Sequence, residues 1–332
     1  MDRIAPLPSR HGPDRACPLP SRHGPDRAIC HGMSRAVTEC HGRSRDVTDG
    51  TIPARIGVLV HVQPGQIPQK NRSVGMADGR ILWEGASQID GAPIVCIATG
   101  LKRKTKNKKL SDSDRKGMIQ TWIMRTDIAP HVAIKSGADE SVCGGCIHRP
   151  SKGGACYVIG YQAPLAIWKA YHRGGYDHQL EPIAIGRDLR LGAYGNPSAV
   201  PVGIWGQHTK GAETITGYDH RWRDLDPSMW AQFVMASTET PWDTFKANYL
   251  GWRTFRVKLP EEPLLPFERG CPASEEMGKI LDCQRCAQCD GSRKGASRPS
   301  RAINVHGSLE KRYRLWRAGL AEPTDWHKGL AI

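Results

Sequence analysis

The sequence predicts an α/β fold: a partial (β/α) barrel-like core followed by a cysteine-rich carboxy-terminal metal-binding segment. Three observations carry this expectation. Short runs rich in β-branched and aromatic residues alternate with helix-compatible segments. Polar residues (Asn196, Thr238, Glu239, Arg256) stand at or near the presumed carboxyl ends of the strands, where a barrel places its site. Seven of the eleven cysteines fall in two groups, Cys143, Cys146 and Cys156, then Cys271, Cys283, Cys286 and Cys289.

Residues 1–75 read as a disordered low-complexity extension. PLPSRHGPDRA occurs at 6–16 and again at 18–28, and CHGMSRAVTE at 30–39 is echoed by CHGRSRDVTD at 40–49. Units this short, rich in Pro, Gly and Arg and poor in aliphatics, bury too little surface to offset chain entropy. The repeated Cys30-His31 and Cys40-His41 pairs leave open a metal-binding tail. Met76 is an alternative start, because ordered-looking sequence follows it.

The α/β core is expected over 76–265. RILWEG and APIVCIATG read as two strands around the turn at Asp90 and Gly91. Cys96, inside the second, is an ordinary buried thiol. KRKTKNKK at 102–109 has six basic residues in eight and is either a phosphate-gripping loop or a solvated one. GMIQTWIMR at 117–125 is a strand, and a short connection with a helical turn leads to Cys143. APLAIWKAYHRG at 163–174 has near-helical apolar spacing and stops at Gly174 and Gly175. Segments opening as strands follow in RLGAYGNPSAVPVGIW, FVMASTET (233–240) and GWRTFRVKL (251–259). Within GYDHRWRDL, Asp219, His220, Arg221 and Arg223 alternate with Tyr218 and Trp222. This is a basic, aromatic surface for bases and phosphates, or, as core statistics favour, a loop whose aromatics plug the core. Residues 266–332 hold the second cysteine group, a strand AINVHG (302–307) and a basic helix LEKRYRLWRAGL (309–320).

A chain of 332 residues can bury a core without disulfides. No apolar run approaches the roughly 20 residues of a membrane span, and the amino terminus lacks the apolar stretch of a secretory signal. The expectation is a cytoplasmic protein without a membrane partner, in a reducing compartment where clustered thiols bind metal more often than they pair. The net charge of +14 makes nucleic acid a plausible partner, although residues 1–75 supply +5 of it with 11 Lys or Arg against 6 Asp or Glu.

Cys283, Cys286 and Cys289 form C-x2-C-x2-C, with Cys271 upstream and followed by Pro272. Four thiolates close a site. Three neighbouring thiolates with a distant fourth before proline favour an iron–sulfur cluster of the [4Fe–4S] type over zinc, whose all-cysteine sites use two C-x2-C knuckles. The first group, C-x2-C-x9-C, supplies only three, so either a fourth protein ligand exists or one position stays open for chemistry. His148, His172 and His220 are the candidate fourth ligands. Glu239 is a candidate acid or base if the barrel forms.

From about Leu82 to Gly307, WEGASQIDGAPIVCIATG, MIQTWIMRTDIAPHVAIKSGADESVCGGC, LRLGAYGNPSAVPV, GWRTFRV and CPASEEMGKILDC resemble an uncharacterised family of tailed phages and prophages. That resemblance brings no activity with it. The order of strand, three cysteines, helix, β/α units and four cysteines is distantly similar to radical SAM proteins. It implies a cluster at Cys143, Cys146 and Cys156 with one iron free for S-adenosylmethionine. The spacing departs from the C-x3-C-x2-C of those proteins, and Gly192 to Pro197 only loosely resembles their glycine-rich second-strand motif. Two functions are therefore expected: an iron–sulfur protein with radical SAM-like activity, or a zinc-stabilised nucleic-acid-binding protein without enzymatic activity.

Overall fold

The computed structural model describes residues 77–102, 117–278, 281–295 and 297–320. The repeat extension, residues 103–109 of the basic run and residues 321–332 lie outside them.

β1 (Gly79–Ala86) and β2 (Pro93–Thr99) form an antiparallel hairpin. Asp90 closes its turn by accepting the Ala92 amide at 3.0 Å, the local side-chain bond that makes Asp a turn residue. β3 (Ile119–Arg125) lies antiparallel to β2; Ile119, Thr121 and Ile123 are buried, whereas Gln120 and Trp122 stay half-buried. α1 (Pro130–Ser136), α2 (Glu140–Cys143) and a 3-10 turn at Pro150–Lys152 follow. α3 (Ala163–His172) carries Pro164 in its first turn, where a missing N–H costs nothing. β4 (Asp177–His178) pairs with β1. Next come β5 (Asp188–Tyr194), α4 (Val202–His208), β6 (Thr214–Asp219), α5 (Pro227–Trp230) and β7 (Met235–Thr238). α6 (Pro241–Tyr249) starts at Thr240, whose hydroxyl accepts the Asp243 amide at 3.0 Å. β8 (Thr254–Lys258), β9 (Glu268–Gly270), α7 (Cys283–Cys286), β10 (Ser300–Asn304) and α8 (Glu310–Arg317) complete the order.

The strands make one ten-stranded sheet in the order β4-β1-β2-β3-β5-β6-β7-β8-β10-β9. Only the pairings of β2 with β1 and β3 are antiparallel, so β2 alone runs against the rest. The α/β expectation holds, but the sheet is open. The β1/β2 hairpin extends it beyond β3, and its edges are the two-residue β4 and the three-residue β9. The core fills both faces, with Trp205, Trp222 and Trp252 at most 2% exposed. A buried tryptophan removes about 150–250 Å² from water, roughly 4–6 kcal/mol at 25 cal/mol/Å², so these rings anchor the layers more than any surface ion pair does. Among the described residues no helix is long and apolar enough to cross a membrane.

β6 is the strand that local pattern hides. Gly217 interrupts its β-forming run where space is tight: a Cβ there would meet Val234 Cγ1 at 3.0 Å and Leu191 Cβ at 3.1 Å. Trp222 just beyond is fully buried and donates to the Ser237 carbonyl at 2.9 Å. GYDHRWRDL is thus a strand end and a core-plugging turn.

Candidate functional site

The segment after β3 crosses the carboxyl ends of the parallel strands. Val142 O accepts the Asn196 amide (2.7 Å) just past β5; His148 faces His220 past β6 and Glu239 past β7; and the Tyr157 hydroxyl meets the backbone of His306 past β10. Arg149, 2% exposed, folds this segment. Its Nε and Nη2 reach Asp139 Oδ1 (3.1 and 2.8 Å), Nη1 reaches Glu140 and the Gly144 carbonyl, and Nη2 also donates to the Gly137 carbonyl. α8 straps the segment from outside: Arg312 donates to the carbonyls of Gly153 (2.9 Å) and Pro150 (3.0 Å). Arg314 is held by Glu261 and Glu310, and Arg317 by Glu262 and the Glu239 carbonyl. The arginines that made this helix a nucleic-acid candidate are engaged within the fold, and the other basic candidate, Lys102 to Lys109, lies outside the described residues beyond Lys102.

Cys143 ends α2, and Cys146 and Cys156 bracket the Arg149 loop. All three are free thiols that feel one another's charge. Burial pushes Cys143 and Cys146 well above the usual thiol range, with Asp139 and Cys156 respectively adding to it, and pushes Cys156 up to about 11. They are protonated as they stand, so binding a metal there releases protons. The Tyr194 hydroxyl, close enough to feel the charge of Cys143 and Cys156, is buried without a hydrogen-bond partner among the described residues.

The second group sits elsewhere. Cys271 follows β9, its amide bonded to the Ala302 carbonyl, and the Cys289 carbonyl accepts the Gly217 amide at 3.1 Å. Cys289 feels Cys271, Cys283 and Cys286, and burial raises its thiol to about 12. Arg253, 1% exposed, fastens the following loop through Asp290 (2.8 Å) and the carbonyls of Gln288, Gly291 and Pro299. Cys283 is exposed and lines an open cavity of about 740 Å³ with Gln120, Trp122, Ile167, Arg190 and Gln284; none of the first three cysteines lines it.

Among the described residues, three ligand atoms come within 4.8 Å of one another only at His148, His220 and Glu239. No three of the seven cysteine sulfurs come that close. His148 Nε2 stands 3.4 Å from Glu239 Oε1, yet both His148 nitrogens and that oxygen lack a partner in hydrogen-bond geometry. Tyr313 stacks on the His148 ring (5.7 Å, 17°), and His220 approaches it edge-on (5.6 Å). Asn196 donates to the Cys143 carbonyl at 2.7 Å, which turns its oxygen toward His220 Nδ1 at 3.2 Å. That arrangement puts the imidazole proton on Nδ1 and leaves Nε2 a lone pair. Burial, then the charge of His148, holds His220 down at about 3, so it is neutral.

Two of the three candidate histidines therefore converge with Glu239 and Asn196. His172 does not; it bonds the Thr126 carbonyl at 2.8 Å and packs on Trp168. Arg256 is also no site residue. It lies inside β8, fully buried, and pairs with buried Glu268 at 2.7 Å. Arg149, Tyr194 and Tyr313 carried no sequence signal, since their neighbours are set by strand register and by α8. The chain matches no protein-family model, no curated protein and no solved structure.

Proposed function

We propose that this chain is an iron–sulfur protein of a reducing, cytoplasmic compartment, in which Cys143, Cys146 and Cys156 hold a [4Fe–4S] cluster with one open iron. Cys271, Cys283, Cys286 and Cys289 hold a second, closed one. The observation that carries this reading is the placement of three free thiols, Cys146 buried and Cys143 and Cys156 half-buried, without a fourth cysteine, along the carboxyl edge of strands in the consecutive parallel order β3-β5-β6-β7-β8-β10. That edge is where parallel α/β sheets do their chemistry, and the order is that of an opened (β/α) barrel. Spacing supports iron over zinc. One tetrahedral zinc ion at about 2.3 Å from each sulfur draws thiolates to roughly 3.8 Å of one another, whereas a cubane binds each thiolate on a separate iron. Cys283, Cys286 and Cys289 with the distant Cys271 have the sequence spacing of the latter.

A cluster held by Cys143, Cys146 and Cys156 would leave one iron for S-adenosylmethionine and would supply the electron needed for reductive cleavage of its sulfonium. Anaerobic purification should give brown protein with about four iron and four sulfide per site. The triple change of Cys143, Cys146 and Cys156 to Ser should remove half of each and abolish release of 5′-deoxyadenosine on reduction. Colourless protein with stoichiometric zinc refutes the iron–sulfur reading and leaves the zinc-stabilised nucleic-acid-binding alternative. Iron-loaded protein that never cleaves S-adenosylmethionine refutes only the radical activity.

A further inference from the structure

We propose that His148, His220 and Glu239 form a site for one divalent transition-metal ion, separate from the thiols of both cysteine groups. The three side chains come from the loop after α2, the end of β6 and the end of β7, and their ligand atoms lie within 4.8 Å of one another. His148 is 8% exposed and Glu239 4%. An unsatisfied buried polar atom costs about 1–3 kcal/mol. Three such atoms, both nitrogens of His148 and Oε1 of Glu239, stand here together. His148 Nε2 and Glu239 Oε1 stand 3.4 Å apart without hydrogen-bond geometry, so neither satisfies the other, while a cation bound to both would satisfy these two atoms.

The ligands are also held in place. Asn196 fixes the His220 ring through Nδ1 and is itself tied to the Cys143 carbonyl, the outer-shell arrangement that orients a metal-binding imidazole. Tyr313 stacks on His148, and its hydroxyl is bonded to the Val257 carbonyl at 2.6 Å. Two imidazoles and one carboxylate are the donor set of open zinc sites and of non-haem iron(II) sites, with at least one position left for water or substrate. Magnesium and calcium, which take oxygen donors, do not fit it. The site stands on its own ligands and does not rest on the iron–sulfur reading.

The test is cobalt(II) titration of the full chain with its cysteine-bound metal in place, followed by visible absorption. Zinc(II) and iron(II) titrations by calorimetry then identify the preferred ion. One equivalent of cobalt should bind with d–d bands and no thiolate-to-cobalt charge transfer. It should be lost in Glu239→Gln and His220→Gln, with the metal content of the cysteine groups, whichever metal they hold, unchanged. Asn196→Ala, which keeps all three ligands, should weaken binding about 10–100-fold. Equal cobalt binding by wild type and both ligand variants overturns the proposal. So does a charge-transfer band that disappears in Cys146→Ser, which would make His148 a ligand of the cysteine site. The wild-type spectrum decides this point even if a variant fails to fold.

Discussion

Replacing Arg149 by Met would remove the cation that folds the Cys146–Cys156 loop while keeping most of its apolar stem. Arg149 and Asp139 are each 2% exposed, and their closest contact is 2.8 Å. Breaking one side of such a buried pair costs about 3–5 kcal/mol, because the remaining charge stays desolvated. Burial already pushes the Asp139 carboxyl above its usual range and Arg149 pulls it back, so losing Arg149 removes that compensation. The carbonyls of Gly137 and Gly144 lose a charged donor as well. Against a typical total of about 5–15 kcal/mol, Arg149→Met should bring the protein close to its unfolding threshold. Urea denaturation, with metal content measured alongside, reads both the stability and the loop. Asp139→Asn in the Arg149→Met background removes the orphaned charge and should recover part of the loss. A loss below about 1 kcal/mol for the single change would put the pair in the class of exposed ion pairs and refute the clamp.

Two further outcomes follow from the same packing. In Gly154→Ala the new methyl would stand 2.0 Å from the Ile147 carbonyl oxygen and 2.3 Å from His148 Cα, both backbone, so the loop must open. A destabilisation of at least about 1–3 kcal/mol and lost metal at the three-cysteine site are expected, and an unchanged urea midpoint with full metal content would contradict this. His208, 1% exposed, is held below the usual histidine range by burial, partly offset by backbone contacts with Glu181 and Leu82. The unfolded chain takes up a proton below about pH 6.5 and the folded one does not, so this stability is complete above 6.5 and is lost as pH falls through the lower folded value. Urea midpoints between pH 4 and 7 should fall less steeply in His208→Gln than in wild type; parallel curves would show that His208 is not the group responsible.

Much of the fold was legible in the sequence because neighbouring residues encode it. The hairpin around Asp90, the strand ending at Arg125, the helix over Ala163–His172 and β7, β8, β10 and α8 all follow from local apolar period and turn residues. β4 and β9 were missed because they are too short to show a period, and β6 because Gly217 interrupts it where Leu191 of β5 and Val234, just before β7, pack closely. Where a partial barrel-like core was expected the sheet is open, for a related reason. Whether a sheet curls into a barrel depends on what lies beyond its first parallel strand, and local pattern does not show that the second strand of the hairpin pairs with β3.

The same division runs through the candidate site. Cysteine spacing named the seven thiols, and residue type named His148, His220, Asn196 and Glu239 as separate candidates. Their meeting was decided by parallel register, which brings the ends of β5, β6 and β7 to one edge, and by Arg149, which folds the loop across it. Arg256, a site candidate by position, became half of a buried pair because Glu268 lies against it. The sequence by itself determined which chemistry was present. The tertiary structure decided which groups share a site, because contacts between distant segments depend on strand pairing and packing that no short window contains.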